Sequence, residues 1–404
     1  MQSCKLPIEL CESVVDCLSG SGHNPTLFEY AETLESNPTL NACSLVQLRT
    51  SIQAHAFLDA VRHCSHKAQL VQYLGISLVP LPSSLSSSEP WHDRREVKPT
   101  TIPPCYYDWI YKVLIQLPHL LVNLSTLALF ELPTLHPRFI RLVSRFKTVK
   151  GLTLWALNNQ SFSEINQVIN HLPQLKSIYF CYSTWRQPVR FFPSHRLRLE
   201  QVACLPSKYV ETDMLDWLGS LQCLSGLRYL QWIPQATDIA SENKLHHLLQ
   251  RCRHTLRYLD LQPNGAEIFG SLSLFSHLEL EYLTIWIPSS PFPNDISLFS
   301  SHITQILSPS LVYLNIGSFQ NLNFESLATS KSHWKDIDDA LNDRKFNRLA
   351  YFIMSLSSVY PRHLNHKTLR ATFKTILPKS YQRGILWVAK GSYDERHRGE
   401  HSPE

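Results

Sequence analysis

One short apolar pattern recurs along most of this chain and limits the folds that it can adopt. The pattern places apolar side chains at the first, fourth and sixth positions of a six-residue stretch, as Leu227, Leu230 and Trp232 do. Alternation of this kind is typical of a strand with one buried face. The copies begin at residues 71, 124, 149, 175, 199, 227, 256, 280 and 311, and a weaker copy consists of Phe346, Leu349 and Tyr351.

The intervals between the copies indicate a repeat architecture. From residue 124 onward they measure 24 to 35 residues. Helical periodicity predicts helices between the copies, at residues 106–117, 161–172, 211–224, 241–252 and 295–307. One strand–turn–helix unit cannot bury its own apolar side, whereas stacked units can. The sequence is therefore similar to leucine-rich repeats, in an irregular form where prolines such as Pro234 and Pro263 replace the usual asparagine.

We expect an α/β solenoid with parallel strands on its concave side and helices on its convex side. Irregular leucine-rich repeats would occupy residues 106–390, and a first repeat-like unit would occupy residues 49–79. A Ser- and Pro-rich loop at 80–105 would separate them, and a disordered tail would follow at 391–404. A doubly wound α/β sheet is the alternative, because it also alternates strands with helices.

The N-terminal segment differs from the repeats. It places Leu10, Val14 and Leu18 on one helix face, after Pro7, which favours a helix start. A second apolar helix is predicted over residues 38–48. Through the motifs LPIEL and NACSLV, residues 1–48 resemble an F-box, a short helical domain, in the form common in fungi.

The resemblance implies that this segment docks on the Skp adaptor of a cullin–RING ubiquitin ligase. The residues that match the adaptor-binding motif are Leu6, Pro7, Ile8, Leu10, Val14, Val15, Leu18, Leu40, Cys43, Leu45 and Val46. The Cys-Arg-x-Trp sequence that usually follows is absent after Val46, so the F-box is truncated. The implied function is substrate recognition in an SCF-type ligase. The alternative is a non-degradative repeat scaffold with a decayed F-box.

The tyrosines beside the strand leucines are candidates for contact with a target protein. Because alternate strand residues face opposite ways, they and the polar residues two positions later should share the concave face. These candidates are Tyr229, Gln231, Tyr258, Asp260, Tyr282, Thr284, Tyr313 and Asn315. Tyrosine is enriched in binding hot spots. The alternative is that the tyrosines fill gaps between neighbouring strands.

We expect neither catalysis nor a bound cofactor. The nucleophile-elbow, zinc-protease and phosphate-loop motifs are absent from the sequence. Nineteen histidines are present, but none belongs to a set with the spacing of a zinc site, so we expect no metal. The carboxylates at 336–339 are interpreted as a helix start, where negative charge suits the dipole.

Charge and cysteine usage restrict the partners and the compartment. The net charge of +5 includes no run of five basic residues, so we expect no nucleic-acid partner. No apolar stretch reaches the ~18 residues of a membrane span. The ten cysteines form no C-x-x-C pair and no signal peptide opens the sequence. Reduced thiols in the cytoplasm and/or nucleus are the expectation.

Overall fold

A computed structural model gives the fold of much of the chain. The residues that it describes are 45–77, 108–130, 137–155, 158–181, 184–187, 197–205, 211–221, 224–233, 239–261, 279–286, 300, 303, 306, 308–317, 331–356 and 366–390. The predicted loop at 80–105, the predicted tail at 391–404 and most of the predicted helix at 295–307 lie outside these residues.

Twelve parallel strands form the main sheet, and their order in space follows their order along the chain. They are β1 (Leu45–Leu48), β2 (Tyr73–Ser77), β3 (Thr126–Phe130), β4 (Gly151–Trp155), β6 (Ser177–Cys181), β8 (Gln201–Cys204), β9 (Tyr229–Trp232), β10 (Tyr258–Leu261), β11 (Tyr282–Trp286), β12 (Tyr313–Gly317), β13 (Tyr351–Leu356) and β14 (Leu386–Lys390). A doubly wound sheet would reverse its strand order at a switch point. The single direction of this sheet instead agrees with a solenoid-like repeat fold.

Helices alternate with the strands. They are α1 (Ser51–His63), α2 (Ser65–Leu70), α3 (Asp108–Leu120), α4 (Pro137–Val143), α5 (Phe162–Asn170), α6 (Glu211–Ser220), α7 (Ile239–Cys252), α8 (Lys331–Leu341), α9 (His366–Ile376) and α10 (Pro378–Gln382). Helices α3, α5, α6 and α7 lie where helical periodicity predicted them, within a few residues at each end. The α/β class and the parallel sheet are therefore confirmed.

One continuous core joins the strands to the helices. Leu227, Leu230 and Trp232 are buried in it, as are the corresponding residues of neighbouring units. Each fully buried leucine contributes about 2 kcal/mol by leaving water. Because every unit adds the same three positions, the core lengthens with each repeat and has no single centre.

An aromatic cluster within this core includes one buried polar contact. The Trp217 ring on α6 lies edge-on to Phe162 and Phe180, with centroids 5.4 and 6.3 Å away. Its indole Nε1 donates to Oδ1 of Asn166 on α5 at 3.1 Å. The bond satisfies an indole N–H that burial removes from water. It also fixes the position of α6 relative to α5.

The unit that follows β6 departs from the strand–helix scheme. Its described residues form β7 (Thr184–Gln187), which pairs in parallel with β5 (Asn158–Ser161) in a separate two-stranded sheet. The apolar pattern did not predict this pair, because residues 158–161 and 184–187 are predominantly polar.

The last predicted copy of the apolar pattern was placed three residues too early. Strand pairing sets Leu314 opposite Phe352 and Ile316 opposite Met354, so the true triplet is Leu349, Phe352 and Met354. Phe346 is buried in the short 3-10 turn before the strand. Phe346 is apolar and stands three positions before Leu349, so the pattern also fitted the sequence in the wrong register.

The first strand, β1, replaces part of a predicted helix. Residues 38–48 were predicted to be helical, yet Leu45–Leu48 pairs in parallel with β2, with Val46 opposite Leu74 and Leu48 opposite Ile76. Cys43, Val46 and Leu48 have the same spacing as the strand pattern. The helix prediction is therefore wrong over these four residues, and the sheet begins three residues before the predicted boundary at 48.

The carboxylates at 336–339 do not begin a helix. They lie in the second half of α8. Asp338 is buried, and its carboxylate accepts hydrogen bonds from the backbone N–H groups of Lys379 and Ser380, each at 2.8 Å. The negative charge does serve the start of a helix, but that helix is α10, about forty residues further along the chain.

Candidate protein-binding face

The helices of the described residues pack on one face of the sheet, and the opposite face carries the alternate residues of each strand. Along β9 to β12 the leucine-type residues enter the core, whereas the tyrosine at the start of each strand lies outside it. Strand alternation places all eight candidate target-binding residues on this second face. We call it the open face.

Six aromatic side chains form a continuous row across the open face. The row, which we call the aromatic ladder, consists of Tyr229, Tyr258, Tyr282, Tyr313, Tyr351 and Trp387. Neighbouring ring centroids lie 4.4 to 6.4 Å apart. Aromatic rings attract one another at these separations. The ladder therefore joins six successive strands of the sheet.

Strand register accounts for the five tyrosines of the ladder, whereas Trp387 lies opposite Ile353, two residues beyond the tyrosine position. Pairing sets Tyr229 beside Tyr258, Tyr258 beside Tyr282 and Tyr282 beside Tyr313. It then sets Tyr313 beside Tyr351. Parallel strands lie less than 5 Å apart, so rings at equivalent positions must touch. The tyrosines contact one another between strands, as the second interpretation expects. Tyr258 and Tyr351 are also 38% and 44% exposed, and contact with a target stays a prediction.

Two members of the ladder were not predicted from the sequence. Tyr351 was assigned to a core position because of the three-residue register error, and the strand that contains Trp387 was not predicted. The triplet of Leu349, Phe352 and Met354 was the signal that could have placed Tyr351 correctly. No equivalent signal precedes Trp387, because the apolar pattern weakens there.

A second row of candidates lies two residues further along each strand and is less accessible. Gln231 is 5% exposed, and its Nε2 donates to Oδ2 of Asp260 at 3.0 Å. Asn315 is fully buried, whereas Asp260 and Thr284 are half-buried. Gln231 and Asn315 therefore do not offer a target-binding surface, in contrast to the prediction. The tyrosines are exposed or half-buried and are therefore the more accessible of the two rows.

Charged residues line the edge of the sheet where β6 to β11 begin. We call Lys176, Glu200, Arg228, Arg257 and Glu281 the charged edge, since each immediately precedes the first residue of its strand. Lys176 pairs with Glu200 at 2.6 Å, and Arg257 lies 3.8 Å from Glu281. The hydrogen bond from Lys176 lowers the pKa of the Glu200 carboxyl, and the charge of Arg228 acts in the same direction.

Tyr258 connects the charged edge with the ladder. Partial burial raises the pKa of its hydroxyl, and the neighbouring Tyr282 and Glu281 act in the same direction. Its ring stacks on that of Tyr282 at 4.4 Å with the planes 13° apart. The hydroxyl therefore remains protonated at neutral pH and can both donate and accept a hydrogen bond.

The predicted adaptor-binding residues fall in two groups. Leu6, Pro7, Ile8, Leu10, Val14, Val15, Leu18, Leu40 and Cys43 lie outside the described residues. Leu45 and Val46 belong to β1, and the half-buried Val46 packs against the core of the repeats. A side chain held in this way presents little surface to an adaptor.

The described residues contain neither a metal-binding cluster nor a membrane-spanning helix. Within the described ranges, no three His, Cys, Asp or Glu side chains are grouped so as to hold a metal ion. No helix of the same ranges is both long enough and apolar enough to cross a membrane. Cys64, Cys181, Cys204 and Cys252 are buried and are not in disulfide bonds.

Comparison with known proteins leaves the family of the chain open: no protein-family model matches it, and no curated protein matches it.

Proposed function

We propose that this chain is a non-catalytic protein-binding subunit that holds its partner on the aromatic ladder. The observation that carries the proposal is the row of six adjoining rings on the open face. Tyrosine and tryptophan supply large contact areas at a small cost in side-chain entropy, and they dominate binding hot spots. A sheet that spans twelve strands gives such a surface the length to contact an extended segment or a second domain.

We further propose that the N-terminal segment couples this partner to a ubiquitin ligase. In this proposal residues 1–44 dock on the Skp adaptor of an SCF-type cullin–RING ligase, and the repeats recognise the substrate. The support is the resemblance of LPIEL and the following motif to an F-box. The subunit performs no chemistry and instead raises the effective concentration of the substrate near the ubiquitin-carrying enzyme.

A repeat scaffold without adaptor binding is the second candidate function, and strand β1 favours it. Leu45 and Val46, which complete the F-box-like motif, form the first strand of the sheet. The scaffold uses the same aromatic ladder but directs its partner to no ligase. The two candidates therefore differ only in what residues 1–44 bind.

Co-expression of the full chain with the Skp adaptor tests the ligase proposal. We expect the adaptor to co-purify with the wild-type chain and to be lost with Leu10→Asp. The matched control is Leu70→Asp, because Leu70 is 42% exposed at the end of α2 and is not part of the F-box-like motif in the sequence. Equal loss in both variants, or no adaptor with the wild type, contradicts the ligase and leaves the scaffold.

Partner capture tests the ladder itself. The wild-type chain and its Tyr258→Ala and Tyr351→Ala variants are used as bait in a lysate, and the captured proteins are quantified. Both tyrosines are exposed, so we expect both variants to keep the fold and to lose the same partner. The control is Ile52→Ala, because Ile52 is 81% exposed on α1, far from the ladder. A capture profile that no tyrosine variant changes contradicts the proposal.

A further inference from the structure

A cavity of about 580 Å³ opens beside the aromatic ladder, at the charged edge of the sheet. Its lining includes Arg198, Arg228, Arg257, His254 and Tyr258. Two glutamates and the hydroxyls of a serine and a threonine complete it. Three guanidinium groups in one depression form a site for oxyanions, because each presents a planar fork of N–H donors.

Sheet geometry fixes the spacing of these charges. The backbone N–H of Arg228 donates to Glu200 O at 2.8 Å, and that of Arg257 donates to Arg228 O at 2.9 Å. The N–H of Glu281 donates in turn to Arg257 O at 2.9 Å. The four residues consequently stand side by side on successive strands. Their side chains therefore start from fixed positions along one edge of the sheet.

Each of the two glutamates of the cavity already forms an ion pair. Glu200 pairs with Lys176, which is not part of the lining. Arg257 contacts Glu281 and also Glu279, the latter at 2.8 Å. In contrast, no carboxylate of the described residues lies within ion-pair distance of the exposed Arg198 or Arg228. Arg198 and Arg228 are therefore the guanidinium groups of the lining that have no ion-pair partner among the described residues, and the lining carries a net charge of +1 from three arginines and two glutamates.

We propose that this cavity binds an acidic segment of the partner protein that presents two neighbouring negative charges. Two carboxylates or one phosphate monoester supply the same oxyanion chemistry and suit the two guanidinium groups that lack an ion-pair partner. Tyr258 belongs both to the cavity and to the ladder, so a segment lying across the rings reaches Arg228 directly. The inference rests on the proposed binding of a partner at the ladder and specifies the chemistry of that partner.

Fluorescence anisotropy with defined peptides tests the inference on the full chain. Three labelled ten-residue peptides share one neutral, tyrosine-containing sequence and differ only at a central pair: Glu-Glu, Gly-phosphoserine or Gln-Gln. We expect at least one charged peptide to bind more tightly than Gln-Gln, and its affinity to fall as salt is raised. The tighter of the two charged peptides identifies the source of the charge. Equal affinity for all three peptides overturns the inference.

Arginine variants locate the binding. Arg198→Gln and Arg228→Gln each remove one charge-assisted contact and are expected to weaken the charged peptide about tenfold. Both guanidiniums are exposed, so the fold should persist, which circular dichroism checks. Arg348→Gln is the matched control, because Arg348 is exposed and stands three residues before strand β13, as Arg198 stands three residues before β8. An equal loss of peptide affinity with Arg348→Gln would show that only the overall charge of the chain matters, and it would overturn the proposed site.

The two proposals fail separately. If the peptides do not discriminate but the tyrosine variants still lose their partner, only the acidic-segment inference fails. If the tyrosine variants capture every partner that the wild type does, the proposed function fails, whatever the peptides show.

Discussion

The rings of Tyr258 and Tyr282 stack with centroids 4.4 Å apart and planes 13° apart. They are partners in the parallel register of two neighbouring strands. The same register places the tyrosine of the next strand, Tyr313, against Tyr282. In a repeat protein each unit is stabilised mainly by its neighbours. The ladder therefore contributes to stability as well as to the open face.

Removal of one ladder ring should weaken the junction between units. Tyr282 contacts both Tyr258 and Tyr313, and we expect Tyr282→Ala to lower the free energy of unfolding by about 1–2 kcal/mol. Urea denaturation of the full chain measures it. Tyr282→Phe keeps both ring contacts and is expected to remain within about 0.5 kcal/mol of the wild type. Equal losses in the two variants would assign the effect to the hydroxyl instead of the rings.

Two buried thiols should make the chain sensitive to alkaline pH. Burial raises the pKa of Cys181 and of Cys252 from 9.0 to about 12 in each case. The folded state therefore holds these protons more tightly than the unfolded state. The associated stability is complete below pH 9 and is lost as pH rises towards 12, with a slope of up to about 1.4 kcal/mol per pH unit for each thiol.

Alanine variants separate thiol ionisation from packing. The double variant Cys181→Ala/Cys252→Ala should be less stable than the wild type at pH 7, because side-chain volume is lost. Its free energy of unfolding should nevertheless fall less steeply than that of the wild type from pH 9 to pH 11. Urea midpoints over that range measure the slope. A slope as steep as that of the wild type would assign the alkaline loss to other groups, such as Tyr179, whose pKa burial also raises.

Asp338 should be the more important of two adjacent aspartates. Its carboxylate accepts from the backbone N–H groups of Lys379 and Ser380 and from the Ser380 hydroxyl at 2.6 Å, so it joins α8 to the start of α10. Asp338→Ala leaves these buried donors without an acceptor and is expected to cost about 2–4 kcal/mol. Thermal or urea unfolding measures the loss.

The neighbouring residue supplies the control for that prediction. Asp339 forms a surface ion pair with Lys379 at 2.6 Å, and both side chains are largely exposed. Surface pairs are screened by solvent, so Asp339→Ala should change stability little. If the two alanine variants were equally stable, the buried network at the start of α10 would have no special role.

The sequence predicted the fold well where the repeats are regular and poorly at the two ends. Leu256, Leu259 and Leu261 are all buried, and their spacing alone predicts the pairing register of β10. At residue 346 an apolar side chain is buried in a turn instead of a strand, and the pattern alone cannot distinguish the two environments. Val46 satisfied both an F-box motif and the strand spacing, and only pairing with β2 distinguishes them.

The candidate site was predicted in part for the same reason. Alternation along a strand identifies which residues share a face, and it placed Tyr229, Tyr258, Tyr282 and Tyr313 together. It does not indicate how deeply neighbours bury each residue, so Gln231 and Asn315 were wrongly counted as accessible. The charged cavity depends on residues just before the strands, which no periodic pattern selects.

Gly75 provides a last test of the sheet, because a side chain at this position of strand β2 would crowd its neighbours. A Cβ there would lie 3.0 Å from Cε2 of Phe130 and 3.3 Å from Cγ of Gln47, on the two flanking strands. We expect Gly75→Val to destabilise the chain by about 1–3 kcal/mol through overpacking. Gly219→Ala is the control, since no described atom lies within 4 Å of its Cβ position on helix α6. It should leave stability unchanged or raise it by about 0.5 kcal/mol through helix propensity. A fully stable Gly75→Val chain would show that β1, β2 and β3 do not pack in the described register.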